Sequence, residues 1–228
     1  VATDVNNLGQ LLKALGDYPA ARAYLERALR IDEASYGPDH PNVAIRVNNL
    51  GLLLQALGDY PAARAYYERA LRIDEATYGP DHPEVATDVN NLGQLLKALG
   101  DYPAARAYME RALQMDEATY GPDHPNVARD VNNLGMLLKA LGDYPAARAY
   151  MERALRMDEA TYGPDHPNVA SDVNNLGTLA YAEGDLRAAL PLFERALRIF
   201  QHHLPPTHPN IQMVQNSLAI VRGELGEG

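Results

Sequence analysis

Residues 81–103 read DHPEVATDVNNLGQLLKALGDYP, and this stretch holds a start signal, a body and a stop signal for one helix. Asp81-His82-Pro83 opens it, because proline is favoured in a first helical turn, where its missing N–H is not needed. Apolar residues then recur at helical spacing as far as Leu99, and Gly100 supplies a left-handed stop. Asp101 is placed to cap a second helix, with Tyr102 and Pro103 in its first turn, and that helix runs to Tyr120 before Gly121 and Pro122 end it. So short a connection folds the two helices back on each other, antiparallel.

The same unit fills the chain. NNLG recurs starting at Asn6, Asn48, Asn90, Asn132 and Asn174, always 42 residues apart. Residues 1–42 laid on 85–126 differ at four positions: Leu25 against Met109, Arg30 against Gln114, Ile31 against Met115 and Ser35 against Thr119. Helix pairs joined by identical turns stack one on the next. The expected fold is therefore all-α, an α-α superhelix or solenoid of five helix-turn-helix repeats at 1–42, 43–84, 85–126, 127–168 and 169–210, with a solvating C-terminal helix in 211–228. In each repeat the first helix is called A and the second B. Composition agrees with a helical protein: Ala, Leu, Arg and Glu dominate, with two Phe and no Trp among 228 residues.

At about 100° per residue, Val5, Leu8, Leu12 and Leu15 fall within one arc of helix A, and Ala21, Leu25 and Ala28 line the facing stripe of helix B. These are the expected core. Gly9 and its copies Gly51, Gly93, Gly135 and Gly177 lie beside that arc. A glycine inside a helix costs up to about 1 kcal/mol in propensity, so its recurrence points to close helix approach.

The order Leu8-Gly9, Gly16-Asp17-Tyr18, Ala21, Leu25 and Ala28 resembles the tetratricopeptide repeat (TPR) signature. The 42-residue length, with GPDHP between units, is similar to kinesin light chains and related bacterial scaffold proteins over residues 1–210. Val5 stands where the general signature has Trp and Leu12 where it has Tyr, and helix B continues past Glu33 where the shorter repeat meets Pro. The resemblance implies a concave inner surface, built from the A helices, that binds extended peptides or helical segments of other proteins. It also implies a ladder of Asn side chains on the peptide main chain, for which Asn6 and Asn7 and their copies stand at the matching positions.

Differences among the copies give a separate argument. They concentrate in helix A at three positions: Thr3, Ile45, Thr87, Arg129, Ser171; Gln10, Leu52, Gln94, Met136, Thr178; and Lys13, Gln55, Lys97, Lys139, Tyr181. Spacings of seven and three put these on one face, opposite Val5, Leu8 and Leu12, where Leu52 and Met136 read as exposed apolar contacts. A binding groove on a constant frame is expected there; drift on a tolerant surface is the competing reading. Helix B varies less, and Arg22, Glu26 and Arg27 read as passively copied charge pairs.

Asn is a poor helix-interior residue, so paired Asn in every A helix needs a reason. One is peptide recognition, since an amide both donates and accepts; the other is a bond to the neighbouring repeat that holds register. Asn6, Asn48, Asn90, Asn132 and Asn174 read as nearer the variable face and are the ligand candidates. Lys13, Lys97, Lys139 and Arg129 make that face less acidic than the rest, which favours an acidic peptide.

The formal charge of −10 argues against a nucleic-acid partner, and no run of 18 apolar residues argues for a membrane span. No cysteine is present, which excludes thiolate chemistry. No phosphate-loop, nucleophile-elbow or zinc-protease motif occurs, so neither an enzyme, a cofactor nor a metal is expected. The histidines His40, His82, His124, His166 and His208, one per repeat, read as helix-start and loop residues. These features fit a cytoplasmic protein. In the last segment Gln215 and Arg222 replace the core residues Val5 and Leu12, the mark of a solvating cap. Val1 lies inside a helix A, so a fragment of a longer array is expected. End-to-end self-association is a second functional reading, and a duplicated or designed scaffold with no natural ligand is a third.

Overall fold

The computed structural model describes residues 1–226, and among them it contains eleven helices and no strand. The A helices are α1 (Ala2–Ala14), α3 (Pro41–Ala56), α5 (Pro83–Ala98), α7 (Pro125–Ala140) and α9 (Pro167–Ala182). The B helices are α2 (Tyr18–Tyr36), α4 (Tyr60–Tyr78), α6 (Tyr102–Tyr120), α8 (Tyr144–Tyr162) and α10 (Leu186–His203), and α11 (Pro209–Leu225) follows. They form two compact units, Val1–Thr119 and the remainder from Tyr120.

Turn chemistry fixes where each helix starts and stops. In the A helices that open on His-Pro, and in α11, the His is the N-cap: Nδ1 of His40, His82, His124, His166 and His208 accepts the backbone N–H two residues on, at 3.1–3.2 Å. The first four of these rings also stack on the tyrosine that ends the preceding helix, with centroids 4.4–4.6 Å apart. Each cap thereby locks the connection as well as the helix. The B helices are capped by Asp, as when Asp17 accepts from the Ala20 N–H at 3.2 Å. Between A and B, Gly100 takes φ +80°, and the Asp101 N–H reaches back to the Leu96 carbonyl at 2.9 Å, closing a Schellman turn.

Packing corrects the expected core at two positions. Leu15 is 73% exposed, and Leu57, Leu99 and Leu141 are exposed like it, because each is the C-cap residue beyond the last buried turn. Leu53, Leu95, Leu137 and Leu179, outside the expected arc, are fully buried instead. The reason is that an A helix such as α3 packs on the B helix before it, α2, as well as on its own partner α4, so its apolar arc is wider than one interface requires. On α1, Leu11, their counterpart, is 56% exposed, and Leu8, expected in the core and the counterpart of buried Leu50, is 39% exposed.

The glycine expectation holds. A Cβ on Gly51 would lie 2.6 Å from the Tyr67 ring, and one on Gly135 would lie 2.7 Å from Met151 Cγ. Both B-helix side chains are buried in those seats. At the end of the second unit, α11 buries Ile211, Val214, Leu218 and Val221 and exposes Gln215 and Arg222, the latter paired with Glu194 at 2.7 Å. The last two residues of the expected 211–228 segment lie outside the described residues.

Candidate interaction surface

Within each unit, neighbouring A helices place the three variable positions side by side. Thr3, Ile45, Thr87 and Arg129 are exposed, and Ser171 is half-buried. Gln10, Leu52, Gln94, Met136 and Thr178 are all half-buried, as are Lys13, Gln55, Lys97 and Lys139, while Tyr181 is exposed. Side chains meet from repeat to repeat: Lys139 Nζ donates to Thr178 Oγ1 at 2.9 Å, and Tyr181 donates to Glu224 at 2.8 Å. Burial lowers the pKa of Lys13 and Lys139.

Two expectations are corrected here. Leu52 and Met136 do not stand free in solvent, since each leans on the apolar core of its own unit and offers only part of its surface. Gln55 has a structural role as well, because its Oε1 accepts the buried Tyr67 hydroxyl at 2.8 Å. Tyr67 in turn occupies the space that Gly51 leaves open.

The Asn pairs form an inter-repeat ladder. Asn49 Nδ2 donates to Asn6 Oδ1 at 2.9 Å, Asn91 to Asn48 at 2.9 Å, and Asn175 to Asn132 at 3.0 Å. The first Asn of one repeat thus accepts from the second Asn of the next, which satisfies buried polar groups and fixes register. Asn6, Asn90 and Asn174 are buried, whereas Asn48 and Asn132 keep part of their surface. In the first repeat it is Asn7 that is exposed, the reverse of the expected order, because Asn6 is covered by Asn49. The ladder stops at α11: position 217 is Ser, whose hydroxyl turns back to the Met213 carbonyl at 3.1 Å, and Asn174 Oδ1 is buried with no partner.

A second cross-repeat pairing was not visible in the sequence. The B-helix Asp at position 32 and the next A-helix residue at position 46 meet inside each unit. Arg46 Nε bonds Asp32 Oδ2 at 2.8 Å, with both side chains buried, and Arg46 also reaches Thr3 Oγ1 at 3.3 Å. One repeat on, the equivalent residues are Asp74 and Asp88, two carboxyl groups bonded to each other. Asp158 and Asp172 repeat that arrangement in the second unit. The last equivalents, Phe200 and Val214, are an apolar pair in the core.

Burial, the neighbouring carboxylate and the bond between them raise the carboxyl pKa of Asp88 and Asp172, Asp172 to about 8. Each pair therefore holds one proton across the neutral range. Asp74 Oδ1, Asp88 Oδ2 and Asp172 Oδ2 receive no donor from the rest of the protein. Beside Asp158 and Asp172 lies a cavity of about 170 Å³, rimmed by Arg129, Asn132, Tyr162, Asn168 and Ser171.

On the B helices, Arg22–Glu26 is the expected i,i+4 pair at 2.8 Å. Arg69, the copy of Arg27, does more: it bonds Glu33 of the preceding repeat at 2.7 Å and the Pro38 carbonyl at 2.9 Å, stapling one repeat to the loop before it. Arg111 and Arg195 repeat the staple. Its near invariance among the copies was the available signal, and a spacing of 36 residues hid the partner. Among the described residues no three His, Asp or Glu side chains converge as metal ligands, and no helix is long and apolar enough to cross a membrane.

Antiparallel helix pairs that cross at a glycine, repeat every 42 residues and bond to one another through identical side chains define a helix-pair repeat protein. The chain belongs to the tetratricopeptide repeat family, whose model matches residues 2–76, 44–118, 88–160 and 130–202. Among solved structures it is similar to BtubC (BKLC) from P. vanneervenii, at 25% identity and a TM-score of 0.76, covering 94% of this chain and 85% of that one. A Podosopora anserina kinesin light chain with nearly identical TPR-like repeats matches at 20% identity and a TM-score of 0.72, over 88% of this chain and 96% of that one. YrrB, described as a TPR protein with an unusual peptide-binding site, matches at 20% identity and 0.52, over 95% and 92%. No curated protein sequence matches.

Proposed function

We propose that the chain is a non-catalytic scaffold that binds a peptide or protein segment along the A-helix face of its units. The observation that carries this is the coincidence of variability with accessibility. Repeats that keep the Asp cap of helix B, the crossing glycine and the arginine at the Arg27 position differ at the three A-helix positions whose side chains share one partly open face. Half-buried Leu52 and Met136 offer apolar contact held by a rigid core, and Asn48 and Asn132 keep amide N–H groups for a main chain. Lys13, Lys97 and Lys139 favour acidic residues at the C-terminal end of these helices.

The test is selection from a peptide library, with binders re-measured on a variant carrying Leu52→Gln and Met136→Gln. We expect affinity to fall at least tenfold with helical content unchanged, and Lys97→Ala with Lys139→Ala to weaken acidic binders and flatten their salt dependence. A library that yields no binder sensitive to these changes refutes the proposal. The exposed Leu8 and Leu11 of α1 favour a second reading, stacking on a helix pair of a second copy. Light scattering that stays monomeric across a concentration series removes it.

A further inference from the structure

We propose that the cavity between α7, α8 and α9, floored by the bonded carboxyl groups of Asp158 and Asp172, receives a guanidinium or ammonium side chain of the bound partner. This rests on the reading of the chain as a peptide-binding scaffold and names one chemical feature of what it binds.

The chain itself displays the alternative occupant. Asp32 and Arg46 are the equivalents of Asp158 and Asp172, and there a guanidinium lies against the B-helix carboxylate at 2.8 Å. In the second unit the cation is missing from the sequence and the space is not filled. Asp172, only 5% exposed, lines a cavity of about 170 Å³ together with Asp158, the carboxyl group to which it is bonded, and no cation of the unit is paired with either. That volume is well above what one ordered water needs, and its polar wall suits a hydrogen-bonding head group. A planar guanidinium can donate to both carboxylates at once, as a fork does to two acceptors.

The groups facing the pair are known from each helix packed there. On α7, Arg129 lies at the rim but is turned to Asp130 at 3.0 Å. On α8, Glu159 adds negative potential but is itself paired with Arg195 at 2.6 Å. His166, the α9 cap, bears on Asp158. The shared proton is what a cation would replace. One cation enters, one proton leaves to the buffer, and both carboxyl groups become carboxylates. The acid pair lies near the start of the A helices and the lysine row nine residues on, roughly 13 Å away at ~1.5 Å per residue. A partner with a basic residue at one point and acidic residues about that far along would bind in one orientation only.

The probe is acetyl-arginine N-methylamide, with acetyl-citrulline N-methylamide as its uncharged isostere, titrated into ¹⁵N-labelled chain at pH 6, 7 and 8. We expect the arginine compound, and not citrulline, to shift the amides of Arg129, Ser171 and Asp172. Affinity should rise by up to about tenfold per pH unit while the pair still holds its proton. Asp172→Asn, whose amide can stand in for the shared proton, should abolish the response at every pH while leaving helical content, and thermal unfolding at pH 6, unchanged. Equal shifts with citrulline, an affinity that ignores pH, or binding by Asp172→Asn overturns the proposal. So does a response seen only in Arg129→Ala, which would make the cavity the seat of Arg129. A chain that binds selected peptides through Leu52 and Met136 but ignores the arginine probe loses this assignment alone.

Discussion

Ser217→Asn should stabilise the C-terminal helix by restoring a missing rung. Three rungs of the ladder run from the second Asn of one repeat to the first Asn of the repeat before it, at 2.9–3.0 Å and a separation of 43 residues. Adding 43 to 174 gives 217, where a serine side chain is too short to reach and bonds its own helix instead. Asn174 Oδ1 is left buried and unpaired, which costs about 1–3 kcal/mol. The new amide supplies a bond with a net value of about 1 kcal/mol and relieves part of that penalty. The lost Ser217 bond goes to a helical carbonyl that already has its own partner in the turn, and Ser and Asn differ little in helix propensity. The net gain is about 1–2 kcal/mol, a factor of roughly 5–30 in the population of the open state. Native-state hydrogen exchange reads it directly, as slower exchange of the α11 amides with α7 unaffected. The decisive control is the same substitution on an Asn174→Ala background, where the gain should vanish. Equal protection in Ser217→Asn and the parent, or the same gain without Asn174, refutes the reasoning.

Three further predictions concern the junctions and crossings. Asp88 and Asp172 have carboxyl pKa values raised by folding, so the folded state binds the extra proton; stability is fully present below the unfolded carboxylate range and is lost as pH rises through about 8. The slope is at most about 1.4 kcal/mol per pH unit for each pair, and Asp88→Asn should remove the contribution of its pair from urea midpoints taken between pH 5 and pH 8. Arg46→Ala should cost about 3–5 kcal/mol because it strands buried Asp32, whereas Arg46→Asp recreates the acid pair and should cost less at pH 5 than at pH 8. Gly51→Ala presses on the rigid Tyr67 ring at 2.6 Å and Gly93→Ala on the flexible Met109 at 2.8 Å. Both should lower the unfolding free energy read from chemical denaturation, the first by about 1–3 kcal/mol and the second by less.

The local structure was written in the sequence because its causes are local. His82-Pro83, Gly100 and Asp101 act within a few residues of themselves, and the helices start and stop where those residues put them. The period of 42, repeated through NNLG, required the pairs to stack, and the glycine opposite residue 25 of each unit implied the close crossing that Gly51 and Tyr67 realise.

What only the tertiary structure decided are the contacts between repeats. Leu15 and Leu53 could not be sorted from periodicity, because an A helix is clasped from two sides and the width of its buried arc is set by its neighbours. Asn6 and Asn49 are 43 residues apart, and which of them is covered depends on how adjacent helices register. The Asp158–Asp172 pair is the clearest case: fourteen residues separate the two, on different helices, and each alone reads as an ordinary solvated acid. Only packing removes the water from between them, and with the water gone a proton or a cation must hold the two charges together.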